Sequence, residues 1–158
     1  LELENSNLRS ILACGLEVEV MVHGPLCGMI SDYCLARSKS EEQKCTVYCR
    51  DGKYALKDAY EQIYLIRTDT NCRNYIFYPY DLCLFAQIPQ LAAAGLKYIR
   101  IDAQYYDPDV VLDLILIYQN ALHDLKNGQW NQKDNFCKLL EIFPRGLTSA
   151  PLIRKQDQ

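Results

Sequence analysis

The sequence predicts a mixed α/β fold, and three observations lead to that class. Residues 16–23 alternate between apolar and polar side chains, as a strand with one buried face does. A second strand pattern follows at residues 97–102, and helical patterns lie between and after the two strands. Because strands joined by helical crossovers pair in parallel, this order favours a parallel sheet covered by helices.

The chain is predicted to begin with a helix. Asn5 or Ser6 is a suitable N-cap, and Gly15 is typical of the residue that follows a helix. The strand at residues 16–23 comes next. Its second face is partly acidic, which suits an edge strand or a barrel strand that turns this face inward.

The next segment is predicted to change from strand to loop. Gly24 and Pro25 are expected to end the strand, and residues 27–37 to form a short helix. Residues 38–52 are polar and rich in turn-forming side chains, so we expect a loop there.

A hairpin and a helix are predicted in the middle of the chain. Residues 62–67 and 75–78 have the β-branched and aromatic composition of strands and are separated by a polar turn. Asp81 is a candidate N-cap for a helix that continues through residue 94, with Pro89 at its start or at a kink.

The last third is predicted to be a strand followed by two helices. The strand occupies residues 97–102. A long amphipathic helix begins at Pro108, a favourable first helical position, and ends near residue 127. A further helix covers residues 132–143, and residues 151–158 are expected to be a loose tail.

Composition narrows the class of protein. The chain has 158 residues, of which 49% are hydrophobic and 23% charged, so we expect one domain over residues 1–150. A net charge of −3 gives no basic field for nucleic acid. The sequence contains neither an apolar run long enough for a membrane span nor a leader pattern, so a cytoplasmic location is expected. Because the first residue is Leu1, we expect a fragment of a longer parent.

The eight cysteines are the most informative residue type. Five of them stand in or beside the loop segments: Cys27, Cys34, Cys45, Cys49 and Cys83. Three explanations compete: a secreted disulfide framework, free buried thiols, or a site for a metal or a cluster in a reduced protein. We favour the metal site. The other three cysteines are expected to be buried free thiols: Cys14, Cys72 and Cys137.

Several segments, in order along the chain, resemble one known family. They are residues 19–27 (Glu-Val-Met-Val-His-Gly-Pro-Leu-Cys), Cys45-Thr46-Val47-Tyr48-Cys49, Asp81-Leu82-Cys83, Ile88-Pro89-Gln90-Leu91 and Arg145-Gly146-Leu147-Thr148. Together they resemble the collagenase-like peptidases of family U32. Two departures stand out: Asp32 replaces a usual glycine, and Asp102-Ala103-Gln104 replaces the usual Glu-Gly-Arg.

The resemblance implies an architecture. The chain would be the C-terminal part of a (β/α) TIM-like barrel, with an inserted hairpin and a cysteine-bearing loop. Half a barrel leaves strand edges and apolar faces open. We therefore expect the missing N-terminal half of the parent, or an oligomeric partner, to cover them, and we expect no membrane partner.

The resemblance also implies a cofactor. In several members, four cysteines hold a 4Fe–4S cluster, and zinc is the alternative metal. Cys27, Cys34 and Cys83 would be three ligands, and the fourth would be Cys45 or Cys49, with Cys45 favoured. The cluster is expected in the parent and could be absent from this fragment.

Candidate catalytic residues follow from the implied barrel, whose active site would lie at the C-terminal ends of strands. His23 and Asp102 are placed at such ends, with Glu19 and Arg100 one layer deeper. These groups could do acid–base work or bind an anion. The competing interpretations are a buried Glu19–Arg100 ion pair that fills the barrel, and a His23 that caps a turn or binds a metal.

Three functions remain open at this point. The first is a peptide hydrolase. The second is an iron–sulfur protein for oxygen-independent hydroxylation of RNA or a quinone precursor, so the choice between a peptide and an RNA substrate is undecided. Tyrosines around Tyr78 could stack bases, or they could simply pack the hairpin. The third is an inactive, divergent fragment that serves folding or partner binding.

Overall fold

The structure is a computed structural model that describes residues 5–35, 49 and 54–150. Within these residues the chain forms four α-helices, six strands and a short 3₁₀ helix at Phe85–Gln87. The helices are α1 (Asn5–Ala13), α2 (Ile88–Ala93), α3 (Pro108–Lys126) and α4 (Gln132–Ile142). The strands are β1 (Glu19–Ser31), β2 (Tyr54–Lys57), β3 (Ile63–Thr68), β4 (Asn74–Cys83), β5 (Tyr98–Ile101) and β6 (Leu147–Thr148). The predicted mixed α/β class is confirmed.

The described residues fall into two compact units. The helical unit contains residues 5–24 and 81–150, and the hairpin unit contains the described residues between Pro25 and Tyr80. Strands β1 and β4 each pass from one unit into the other. The expectation of one domain over residues 1–150 stays a prediction, and the tail at 151–158 lies outside the described residues.

In the helical unit the strand order is β6–β4–β1–β5. The first half of β1 pairs in parallel with β5, from Glu19↔Tyr98 to His23↔Ile101, and β4 pairs in parallel with β6. The predicted strand at 97–102 and the helices that begin at Pro108 and Gln132 are confirmed. Their apolar faces form the core, whose fully buried members include Val22, Leu82, Leu84, Phe85, Leu114, Tyr118 and Leu139.

In the hairpin unit the order is β2–β3–β4–β1. Strands β2 and β3 are antiparallel, with Leu56 opposite Tyr64, and β3 and β4 are antiparallel, with Ile66 opposite Ile76. The predicted hairpin is therefore confirmed, and β2 is an addition that the sequence pattern did not indicate. The turn of the hairpin is tied by the Asp69 carboxylate, which accepts hydrogen bonds from the backbone N–H groups of Asn71 and Arg73.

The predicted end of the first strand was wrong. Strand β1 does not end at Gly24 and Pro25 but continues to Ser31, so the expected helix at 27–37 is absent from its described part, residues 27–35. The ladder between β1 and β5 ends at His23, where its carbonyl accepts from the Asp102 N–H at 2.9 Å. Pro25 lies beyond that ladder, and therefore its missing N–H breaks no bond in it.

The predicted helix start at Asp81 was also wrong. Asp81 and Leu82 are strand residues that pair with Leu147 and Thr148. A two-residue strand such as β6 is too short to show alternation, so no sequence pattern indicated the partner that keeps Asp81 extended. Helix α2 begins only at Ile88, with Pro89 in its first turn as predicted.

Candidate functional site

The centre of the helical unit contains a buried polar side chain, His23. It lies in β1 with no exposed surface. The alternation along residues 16–23 placed Val22 and His23 on opposite faces, but a bulge between Met21 and His23 shifts the register with β5. Val22 is the extra residue of that bulge, and as a result Val22 and His23 are both buried.

Aromatic rings enclose His23. The Phe143 ring lies 4.6 Å from the imidazole between centroids, and the Tyr118 and Tyr106 rings stand edge-on to it at 5.7 Å and 6.4 Å. Burial among these rings lowers the pKa of His23 to about 3, because the charged imidazolium loses its hydration. His23 is therefore neutral at physiological pH.

The imidazole has one polar partner. Its Nδ1 lies 3.1 Å from the Tyr118 hydroxyl, while Nε2 is buried and has no hydrogen-bond partner among the described residues. The same hydroxyl lies 3.9 Å from Sγ of Cys83, and burial raises the pKa of that thiol. Tyr118 has a single proton to donate. It can donate to Nδ1 while it accepts from the thiol, or donate to sulfur while it accepts from Nδ1–H.

A second polar contact involves Asp81. The Tyr106 hydroxyl donates to Oδ2 of Asp81 at 3.0 Å. Burial raises the pKa of Asp81, an effect that this hydrogen bond and the charge of Arg145 oppose. Burial and the neighbouring carboxylate raise the pKa of Tyr106, so its proton stays available for donation. Asp81, Cys83, Tyr106 and Tyr118, together with His23, define the polar core of the helical unit.

The predicted catalytic residues do not all share one face. Glu19 and Arg100 do form an ion pair, with Oε1 and Nη1 3.3 Å apart, but both side chains are about half exposed, 53% and 55%. The predicted burial of this pair was wrong. The bulge after Met21 is the cause, because it turns His23 to the core while Glu19 keeps to the solvent face.

Asp102 is the predicted residue that stays next to His23. It follows β5 directly and is half-buried, and its backbone N–H donates to the His23 carbonyl. The Asp102 carbonyl also packs closely against Gly24, where a Cβ would lie 2.5 Å from it. Whether these residues act in catalysis stays a prediction.

Four of the five candidate metal ligands lie among the described residues. Cys83 is buried in the helical unit. In the hairpin unit Cys27 is exposed, with its thiol donating to the Met29 carbonyl at 3.4 Å, while Cys34 and Cys49 are half-buried. Cys45 lies outside the described residues.

No group of three or more His, Cys, Asp or Glu side chains in residues 5–35, 49 and 54–150 is arranged to hold a metal ion. A cluster or a zinc site needs about four such donors. The described residues therefore do not by themselves form the donor set that such a cofactor needs. The ligand set that includes Cys45 stays a prediction.

The seven cysteines within the described residues are free thiols, so a disulfide framework is not present among them. The predicted burial of Cys14, Cys72 and Cys137 was wrong, because all three are exposed. Cys14 follows the last turn of α1, and Cys72 lies in the β3–β4 turn with a positive φ of 63°. Cys137 lies on the exposed side of α4.

Three residues of the polar core are not among the predicted site residues: Asp81, Tyr106 and Tyr118. Asp81 was expected to cap a helix and stands in one of the family motifs, and Tyr118 belongs to the apolar stripe of α3. A usable signal existed for Tyr118, because a tyrosine in the middle of an apolar stripe brings a hydroxyl that needs a partner inside the protein.

None of the helices in the described residues is both long enough and apolar enough to cross a membrane.

Known proteins whose sequences are similar to this chain include a protease and two collagenases. An uncharacterized protease of Methanocaldococcus jannaschii is 27% identical over 137 residues, which is 82% of this chain and 33% of that protein. Two collagenases of Porphyromonas gingivalis are 25% and 24% identical, over 75% and 83% of this chain. The matched regions are 28% and 37% of those collagenases, so the chain spans about a third of the length of these relatives. No solved structure matches it.

The family model described as peptidase family U32 matches residues 1–158, the whole chain. The motif around His23 and Gly24, whose backbone packs against Asp102, and the motif around Cys83, which lies in the polar core, both fall within this match. The chain therefore belongs to peptidase family U32.

Proposed function

We propose that this chain is part of a peptide-hydrolysing protein. The observation that carries the proposal is the family match over the entire chain, together with relatives that are named protease and collagenase. Since those relatives are about three times as long as the matched region, the proposal concerns the full-length protein.

The proposed architecture is the C-terminal part of a (β/α) barrel. The parallel pairing of β1 with β5 and of β4 with β6 supports it, because the strands of such a barrel pair in parallel. In that arrangement Asp102 would lie at the carboxyl end of a barrel strand, where barrel enzymes place their reacting groups.

Within this proposal the polar side chains have different tasks. His23 has no exposed surface, so we do not expect it to contact a substrate. We propose instead that it holds the ends of β1 and β5 in position. Asp102 is half-buried, and its carboxylate is the acid–base candidate. Glu19 and Arg100 are exposed charges on the same pair of strands that could bind a substrate's polar groups.

Gelatin cleavage by the full-length protein tests the proposal. We expect the wild type to cleave, and Asp102→Asn to lose roughly a hundredfold or more in rate, as the loss of an acid–base group does. Asp113→Asn is the matched control, because Asp113 is an exposed aspartate on α3. No cleavage by the wild type contradicts peptide hydrolysis, and equal rates for the wild type and Asp102→Asn contradict only the role of Asp102.

We also propose that the cysteines bind iron, as a 4Fe–4S cluster, or zinc in the full-length protein. The support is the free state of Cys27, Cys34 and Cys83. A second support is the resemblance of these three cysteines and Cys45 to the cysteines of cluster-bearing members. Metal analysis of anaerobically purified protein is the test, with Cys27→Ser as the variant and Cys14→Ser as the control. Absence of both metals contradicts the proposal. A brown protein that does not cleave peptides would favour hydroxylation of RNA or a quinone precursor. An inert protein without metal would favour a structural role.

A further inference from the structure

The hairpin unit contains a buried amide, Asn74, the first residue of β4. Its side chain is almost fully buried, with 3% of the residue exposed. The Nδ2 group donates to the Tyr33 carbonyl at 2.7 Å and to the Ser31 carbonyl at 3.4 Å. The Oδ1 atom accepts from the Thr68 hydroxyl at 2.8 Å. Each end of the amide therefore has a partner inside the protein.

This set of partners requires an asparagine. The two carbonyls need a donor and the threonine hydroxyl needs an acceptor, and at this length and neutral pH only a carboxamide offers both. A carboxylate would place negative charge against two carbonyl oxygens. An apolar side chain would remove the donor that both carbonyls share.

The segment that Asn74 holds is the end of β1 and the turn that leads to Cys34. Its large apolar side chains do not anchor it, because Ile30 is 59% exposed and Tyr33 is 67% exposed. A second link, between Arg73 and Asp32 at 2.9 Å, is also largely exposed. Exposed ion pairs contribute little, so the buried Asn74 contacts are the stronger restraint.

We propose that Asn74 is a positioning residue that fixes the turn at residues 31–34 and thereby the location of the Cys34 thiol. The β3–β4 hairpin thus presents this cysteine in one conformation. The inference goes beyond peptide hydrolysis, and it holds whether Cys34 binds a metal or reacts as a free thiol.

The test measures how fast Cys34 reacts with a pyridyl disulfide in the full-length protein, with each cysteine resolved by mass spectrometry. For Asn74→Asp at neutral pH we expect Cys34 to react about fivefold faster than in the wild type, because the lost donor loosens the turn. In mild acid the new carboxyl is protonated and can donate to the Tyr33 carbonyl again. The excess reactivity over the wild type at the same pH should then shrink to less than about twofold.

The reaction rates of two other cysteines distinguish a local change at Cys34 from a general loss of stability. Cys83 is buried and reports global unfolding, while exposed Cys14 reports reagent activity. Asp32→Asn is the matched control, since it removes only the exposed pair with Arg73, and we expect less than about a twofold change. Thr68→Val, which keeps the amide but removes its hydroxyl partner, should give an intermediate rise.

Three results would overturn the proposal. They are an unchanged Cys34 rate in both Asn74→Asp and Thr68→Val, a rise that Cys83 shares in both variants, and an excess that does not respond to acid.

Discussion

The Tyr118 hydroxyl of helix α3 lies 3.1 Å from Nδ1 of His23 in strand β1, and both side chains are buried. This hydrogen bond joins a helix to the sheet through the interior of the helical unit. Since Tyr118 also approaches Cys83, a single hydroxyl serves polar groups on β1 and β4.

Acid should destabilise the protein through His23. The imidazole takes up a proton near pH 6.5 in the unfolded chain but only near pH 3 in the folded protein. Between these values the unfolded state binds more protons, so the free energy of unfolding decreases as pH falls, by up to about 1.4 kcal/mol per pH unit. The stability that is lost in acid through His23 is fully present only above about pH 6.5. Urea denaturation at several pH values measures this slope.

The control for the acid effect is His23→Gln, which cannot titrate there. Carboxyl groups such as Asp81 also change protonation on folding, so only the difference between the wild type and this variant belongs to His23. We expect the variant to be less stable at neutral pH, and its free energy of unfolding to change less with pH. Parallel curves for the two proteins would refute a neutral, buried imidazole.

Tyr118→Phe should lower the free energy of unfolding by about 1–3 kcal/mol, because Nδ1 of His23 loses its partner inside the core. The ring itself is retained, so no cavity contributes. Tyr98→Phe is the control, since Tyr98 is 51% exposed and the expected change is below about 0.5 kcal/mol. Equal effects of the two substitutions in chemical denaturation would show that the buried hydroxyl contributes nothing.

Gly24→Ala should be among the most damaging single substitutions. Gly24 has a positive φ of 141°, and a Cβ would lie 2.5 Å from the Asp102 carbonyl oxygen and 2.9 Å from the Asp102 Cβ. We expect a loss of roughly 3 kcal/mol or more, because backbone atoms must move. Gly95→Ala separates the effect of the positive φ from the effect of the steric clash. Gly95 has a φ of 100° but no neighbour within 4 Å, and the expected loss is about 1 kcal/mol. Thermal unfolding compares them, and similar losses would argue against the clash.

Glu19→Gln should change stability by less than about 1 kcal/mol. Its partner Arg100 is 3.3 Å away, and both side chains are about half exposed, where water and salt weaken the attraction. The small effect should disappear at high salt. A loss of several kcal/mol in chemical denaturation would instead point to a buried pair, as the barrel interpretation of the sequence first suggested.

The sequence predicted several elements well because their signals are local. The stripe of α3 with Pro108 at its start, the helix at Gln132, and the β3–β4 hairpin each depend on neighbours a few residues apart. The exposure of Glu19 is different, because it depends on the pairing of β1 with β5, whose residues are distant along the chain.

By itself, the sequence determined the α/β class, the family and the approximate position of most helices and strands, since periodicity and short motifs are written in consecutive residues. The tertiary structure decided that Val22 and His23 are both buried, that Asp81 is a strand residue paired with Leu147, and that Tyr118 is the partner of His23. A register shift of one residue, and contacts between groups as much as 95 positions apart, leave no periodic trace in the chain.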